Sequence, residues 1–96
     1  MIISFRVRGT EDIFDGVSTK LARKTLGQHL HRKAAKVLDR LNSAISLRSL
    51  SLPGLQLEKL KGDRAGQHSI RVNDQYRICF RWTEAGAENV EIVDYH

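Results

Sequence analysis

"GQHSIRVNDQYRICFRW", residues 66–82, is the stretch on which the fold turns. Ile70 and Val72 alternate with Ser69 and Arg71, and Tyr76, Ile78, Phe80 and Trp82 alternate with Arg77, Cys79 and Arg81. A side-chain period of two marks half-buried strands, and the Asn73-Asp74 pair between the runs supplies turn residues. The stretch therefore predicts a β-hairpin with one apolar and one cationic face. Two readings of that cationic face stand side by side. Each arginine answers a nearby carboxylate on an ordinary solvated surface, or the row is a binding surface for a polyanion.

Outward from the hairpin the elements fall into one order. "IISFRVR" (2–8) alternates Ile3, Phe5 and Val7 with Ser4, Arg6 and Arg8, which predicts a first strand ending at Gly9. Thr10 before Glu11 and Asp12 reads as an N-cap, with Ile13, Phe14 and Val17 as the apolar face of a short helix near Gly16. The stretch after it is ambiguous. From Leu30, positions 30, 34, 37, 38, 41 and 45 make one helical stripe, with His29, Arg32, Lys33, Lys36 and Arg40 on the other side. "LPG" (52–54) marks a loop, "LQLEKL" (55–60) suggests a short strand, "TEAGAEN" (83–89) a turn and "VEIVDYH" (90–96) a last strand. The expectation is an α+β single domain over 1–96, β-α-α-β-β-β with an optional further strand, its sheet mostly antiparallel and its helices on one face.

Composition narrows the partners. Sixteen Lys and Arg oppose eleven Asp and Glu, a net charge of +5 that favours an anionic partner such as nucleic acid. Seven basic residues lie between Lys20 and Arg40 against Asp39 alone, whereas Glu84 to Asp94 hold four carboxylates and no Lys or Arg. One cysteine, Cys79, leaves no intramolecular disulfide and no thiolate metal cluster, and suits a reducing cytoplasm. The N-terminal apolar run is too short for a signal sequence or a membrane span, so a cytoplasmic protein with no membrane partner is expected. His29 and His31, two residues apart, point to different sides of a helix; no metal site and solvent exposure are expected of them. Tyr76 and Trp82 read as core, and His68 as a packing or edge residue.

"EKLKGDRAG" (58–66) lies just before the hairpin and "VDYH" (93–96) at the far edge of the sheet. Together with the sheet arginines they supply what metal-independent RNA cleavage needs. A base takes the 2′-OH proton, cations hold the phosphorane, and an acid protonates the leaving 5′-oxygen. Imidazole titrates near neutrality, which makes His96 a candidate for either proton role, and arginine grips phosphate through two N–H groups.

The elements G-D-R-x-G (62–66), S-I-R-V-N (69–73), Q-Y-R-I-C-F-x-W (75–82) and the closing D-Y-H resemble, in order and spacing, the HigB/GraT branch of the RelE superfamily of bacterial toxins. The resemblance covers essentially the whole chain, with residues 17–50 matching only in helical character. It implies a compact RelE-like fold and a type II toxin-antitoxin system. The toxin would be a ribosome-dependent endoribonuclease that cuts mRNA in the A site of the 70S ribosome, with no cofactor. A HigA-type helix-turn-helix antitoxin would hold it inactive, and operator DNA would be met only through that antitoxin. Residue by residue, it places the scissile-phosphate arginine at Arg77, a basic residue at Lys61, and acid-base and stacking roles at Asp94, Tyr95 and His96. Some members carry a histidine where this chain has Glu58, so the general base stays open among Glu58, Asp94 and His96. Lys59, Arg64, Arg71, Lys33 and Lys36 are the expected RNA contacts, the last two toward ribosomal RNA. A non-catalytic RNA- or DNA-binding module, or a partner that only docks an antitoxin in transcriptional autoregulation, are the alternatives.

Overall fold

A computed structural model describes residues 1–95; the roles expected of His96 fall outside the described residues. The hairpin forms as its pattern requires. β2 (His68–Arg71) and β3 (Tyr76–Thr83) pair antiparallel with Ile70 opposite Ile78 and Arg71 opposite Arg77, numbering β1 as the short strand before them. The Asn73 side-chain oxygen accepts the backbone N–H groups of Gln75 (2.9 Å) and Tyr76 (2.7 Å), which closes the turn. β1 is only Glu58–Lys59 and pairs with β2; β4 (Gly86–Asp94) pairs with β3, so the sheet order is β1-β2-β3-β4, all antiparallel. β4 starts four residues earlier than the hydrophobic run suggests. Thr83 Oγ1 accepts the N–H groups of Ala85 (3.1 Å) and Gly86 (3.2 Å) and tightens the turn to its minimum.

The expected first strand is reduced to two isolated parallel bridges to β4, Ile2 with Ala87 and Phe5 with Val90. A bulge explains the interruption. Arg81 faces Glu88 while Cys79 faces Glu91, so β4 carries one extra residue there, and Asn89 turns left-handed at φ 54°. The Asn89 N–H is then taken by the Ser4 hydroxyl at 2.9 Å, outside any regular ladder.

Thr10 is not the N-cap. α1 spans Arg8–Phe14 with Val7 in the cap position, and Thr10 is fully buried inside it. The chain leaves β4 after Arg6, whose N–H bonds to the Val90 carbonyl, and the Thr10 hydroxyl accepts the Ile92 N–H (3.1 Å) that a continuing strand would have taken. The ambiguous stretch holds α2 (Lys20–Thr25), capped by Thr19 Oγ1, which accepts the Ala22 N–H at 3.1 Å. Thr19 also donates to the Asp12 carboxylate (2.7 Å), which Arg8 Nε reaches at 3.1 Å, tying the start of α2 to α1.

α3 (His31–Ser43) follows the stripe, burying Ala34, Val37, Leu38 and Leu41 against a sheet face made of Ile70, Val72, Ile78, Phe80, Val90 and Ile92. Tyr76 and Trp82 pack at its margin as expected. Ile45 does not join them: the helix ends at Ser43, Ala44 is extended, and Ile45 is 93% exposed. The helices thus occupy one sheet face and leave the other open. No helix among the described residues is long and apolar enough to cross a membrane.

Gly9 allows the helices to close. A Cβ there would stand 1.9 Å from Thr25 Oγ1 and 2.6 Å from the Leu21 carbonyl oxygen. A Thr25 rotation relieves the first contact, but the second is backbone. Gly9→Ala is therefore expected to destabilise the protein by about 1–3 kcal/mol, the usual range for overpacking. Urea unfolding checks this, and an unchanged midpoint would show that α2 gives way freely.

Candidate functional site

The register decides which side chains share the open face. Glu58 lies opposite Ser69, Ser69 opposite Cys79, Cys79 opposite Glu91, and Arg71 opposite Arg77, so all six share one side, away from the apolar core. Tyr95, two residues beyond Val93 (the partner of Arg77), carries the same parity just past the end of β4, where its N–H bonds to the Gln75 carbonyl at 2.8 Å.

Arg71, Arg77, Glu58 and Tyr95, with Gln56, Asn73 and Asp74, line a cleft of about 270 Å³. Arg77 is its floor, only 8% exposed. Burying a guanidinium demands polar partners, and it has them. Nε donates to the Ser69 hydroxyl at 2.7 Å, and Nη2 donates to the Ser69 carbonyl (3.3 Å) and the Gln56 carbonyl and lies 3.9 Å from Glu58 Oε2. Gln56 is held in the left-handed region at φ 45°, a conformation that a non-glycine residue keeps only where its surroundings fix it. The Tyr95 ring centre stands 6.0 Å from the guanidinium carbon, at the outer reach of a cation–π contact. Arg71 donates to the carboxylate of Asp74, itself on the exposed turn.

Two like charges directly opposite each other on a sheet face repel, and along this face carboxylates stand beside the arginines at both ends. On β4, Glu91 is nearly buried between Arg64 (3.2 Å) and Arg6 (3.5 Å), one carboxylate shared by two guanidinium groups. Burial there opposes the charge on Arg64, but its hydrogen bond to Glu91 and the attraction of that carboxylate outweigh it and raise the guanidinium above its ordinary value. Burial pushes the Cys79 thiol up, so at neutral pH it is a protonated, packed side chain. At the cleft end, Arg71 and Arg77 are cross-strand partners and each has a carboxylate of its own: Arg71 binds Asp74, and Arg77 lies 3.9 Å from Glu58.

The other expected site residues stand elsewhere. Asp94 pairs with Tyr76, on the parity of the apolar face, and accepts a hydrogen bond from Gln75 Nε2 at 3.0 Å; it does not line the cleft. Lys61 is exposed at the cap of the turn Gly62–Arg64, and Lys59 lies opposite His68, on the other side of β1 from Glu58. Lys33 and Lys36 are exposed on α3. Ser69, Gln56, Asn73 and Asp74 are site residues that the sequence reading did not single out. For Ser69 a signal exists: two residues before Arg71 in a strand, it shares that arginine's face. Gln56 follows a loop, and no periodicity points to it. His31 is not simply solvent-facing, since its Nε2 lies 2.8 Å from the Leu26 carbonyl oxygen at the end of α2.

His68 is a packing residue with a consequence. Its ring stacks on Phe80 with centres 6.3 Å apart, and Nδ1 is buried without a hydrogen-bond partner among the described residues. Burial, then the charge of Lys59, pull its pKa below the usual histidine value. The unfolded chain takes up a proton near pH 6.5 that the folded ring refuses, so its contribution to stability is whole above that pH and shrinks as pH falls below it. His68→Phe is expected to reduce the loss of stability between pH 7.5 and 5 in urea melts. The same loss in both proteins would place the acid sensitivity elsewhere.

A family model described as "RelE-like toxin of type II toxin-antitoxin system HigB" matches residues 4–96. "Toxin HigB-1" of Vibrio cholerae is 33% identical over 90 residues, 93% of this chain and 92% of that one. "Endoribonuclease HigB" of Proteus vulgaris is 30% identical over 97 aligned positions, all of both chains. Among solved structures, the YoeB-YefM complex from Staphylococcus aureus superposes with a TM-score of 0.60 at 14% identity, covering 100% of this chain and 98% of the matched one, a likeness of fold. The α+β architecture, the antiparallel sheet with one open face, and a family match across nearly the whole length agree: the chain belongs to the RelE-like toxins of the HigB type II toxin-antitoxin system.

Proposed function

We propose that this toxin is an endoribonuclease that cuts mRNA in the A site of the translating ribosome, in the cytoplasm, by a metal-independent reaction. The observation that carries the reading is the Arg71–Arg77 pair, cross-strand partners that line one cleft together with Glu58, Asp74 and Tyr95. A phosphodiester seated there receives planar, two-pronged donors.

In the proposed reaction the ribose 2′-oxygen attacks phosphorus, and the bond to the 5′-oxygen of the next nucleotide breaks. The products are a 2′,3′-cyclic phosphate and a free 5′-hydroxyl. Glu58 takes the 2′-OH proton, and Arg77 carries the charge that grows on the phosphorane oxygens. Tyr95 stacks on a base or delivers the proton to the leaving oxygen, with His96 the alternative donor. Asp94 and Lys61 act from the rim, Asp94 through Gln75 and Lys61 through its charge. Lys59, Arg64, Lys33 and Lys36 are further RNA contacts, and the partner that silences the toxin is a HigA-type helix-turn-helix protein, through which alone operator DNA is met.

Purified protein added to programmed ribosomes tests the reading. Primer extension is expected to show mRNA cut within codons in the A site, and naked mRNA is expected to stay intact. A module that only binds would stall translation and leave every message whole.

A further inference from the structure

α3 sets Lys33, Lys36, Val37 and Arg40 at spacings of three and four, a stripe about 10 Å long on one face of the helix. That stripe forms one wall of a groove whose opposite side is built by Gly54, Leu55, Val72 and Arg71. Arg71 also lines the cleft of Arg77, so the two depressions meet at one side chain. Among the described residues, the groove's lining holds four cations and no carboxylate; Asp39, the one acid on α3, is not part of it. In the cleft, by contrast, Glu58 and Asp74 partly offset the arginines.

Lys33, Lys36 and Arg40, of one sign along one wall of the groove, repel each other, and this is relieved by a ligand with a repeating negative charge that continues from the cleft. We propose that the groove is a second phosphate track, which holds the RNA strand next to the scissile bond, with Arg71 gripping the phosphate at the junction. The inference rests on the cleft's being the site of the scissile phosphate. It assigns Arg40 a role and gives Lys33 and Lys36 the substrate strand as their ligand.

Binding of 2′-O-methyl RNA, which lacks the attacking hydroxyl, tests this apart from cleavage. A trinucleotide reaches the cleft, and a nonanucleotide reaches the groove as well. The nonanucleotide is expected to bind at least tenfold more tightly. In K33A/K36A/R40A that advantage is lost while trinucleotide binding stays, and the slope of log K against log salt falls by about 2, from about 0.7 per phosphate contact on a single strand. All three side chains are exposed, so the melting temperature serves as the folding control. Equal affinity of the two lengths for the native protein sinks the track, as does a triple variant that binds both lengths normally. If that variant binds RNA normally and only its antitoxin complex weakens, the groove is a protein-docking face and the proposal is wrong. Failure of the cleft itself reads differently: Arg77→Ala would leave trinucleotide binding unchanged.

Discussion

Arg77→Ala is expected to abolish growth arrest and to lower the rate of mRNA cleavage on the ribosome by about 10²–10³-fold, the usual loss when a preorganised donor to the transition state is removed. The position explains the size. The guanidinium is nearly buried on the cleft floor, where charge–charge interaction is screened less than in water, and its orientation is fixed before any substrate arrives by the Ser69 hydroxyl and by the Ser69 and Gln56 carbonyls. Arg77→Lys keeps the charge but not the planar fork, and is expected to recover only a small part of the rate. Ser69→Ala removes the partner of Nε and leaves the guanidinium in place. It should cost less than loss of the arginine, roughly tenfold, and appear in kcat more than in KM because it loosens orientation. Removing Arg77 strips partners from Ser69 and Gln56, so circular dichroism and the melting temperature must accompany the assay. A folded Arg77→Ala protein that cleaves at the native rate would remove the phosphate from this cleft.

The hairpin was readable because two independent signals agree on it. Alternation put Ile70, Ile78 and Phe80 on one side and Arg71 and Arg77 on the other, and Asn73-Asp74 fixed the register that sets the arginines face to face. Once the turn is placed, Ser69 follows by counting, so most of the cleft floor lies within that stretch. The N-terminus misled for a physical reason. Its alternation is real, and Ile2 and Phe5 do meet β4, but the bulge at Asn89 is a property of β4 and nothing in residues 2–8 announces it. Thr10 misled in the same way: its hydroxyl serves an amide 82 positions away in sequence, which local capping rules do not see. Gln56 is harder still. It belongs to the site because its carbonyl meets Arg77 after a loop of short 3₁₀ turns, a backbone role to which side-chain chemistry gives no clue. Asp94 and Tyr95, neighbours in the motif, part company in space: Asp94, the last residue of β4, has the parity of the apolar face, and Tyr95 beyond it lines the cleft.

Glu58→Gln carries the second large effect, because the substitution separates two roles for the same side chain. As the base, Glu58 removes the 2′-OH proton, and an amide of the same shape has no way to hold it. The expected loss is about 10²-fold or more, within the usual contribution of a positioned base, with KM nearly unchanged. As a mere counter-charge, Glu58 sits 3.9 Å from Arg77 with its side chain 53% exposed. Solvent-exposed pairs of that kind contribute at most about 1 kcal/mol, so Gln would then cost little activity. Folding stability is expected to stay level in either case, which keeps the comparison clean. Glu58→His sharpens the distinction. An imidazole at this position can also take a proton, so the base role predicts that His restores much of the rate that Gln loses, whereas the counter-charge role predicts that the uncharged ring does no better than Gln. If Gln and His both cleave like the native protein, the proton leaves by another route, and Tyr95, on the same face and against the same guanidinium, becomes the group to substitute next.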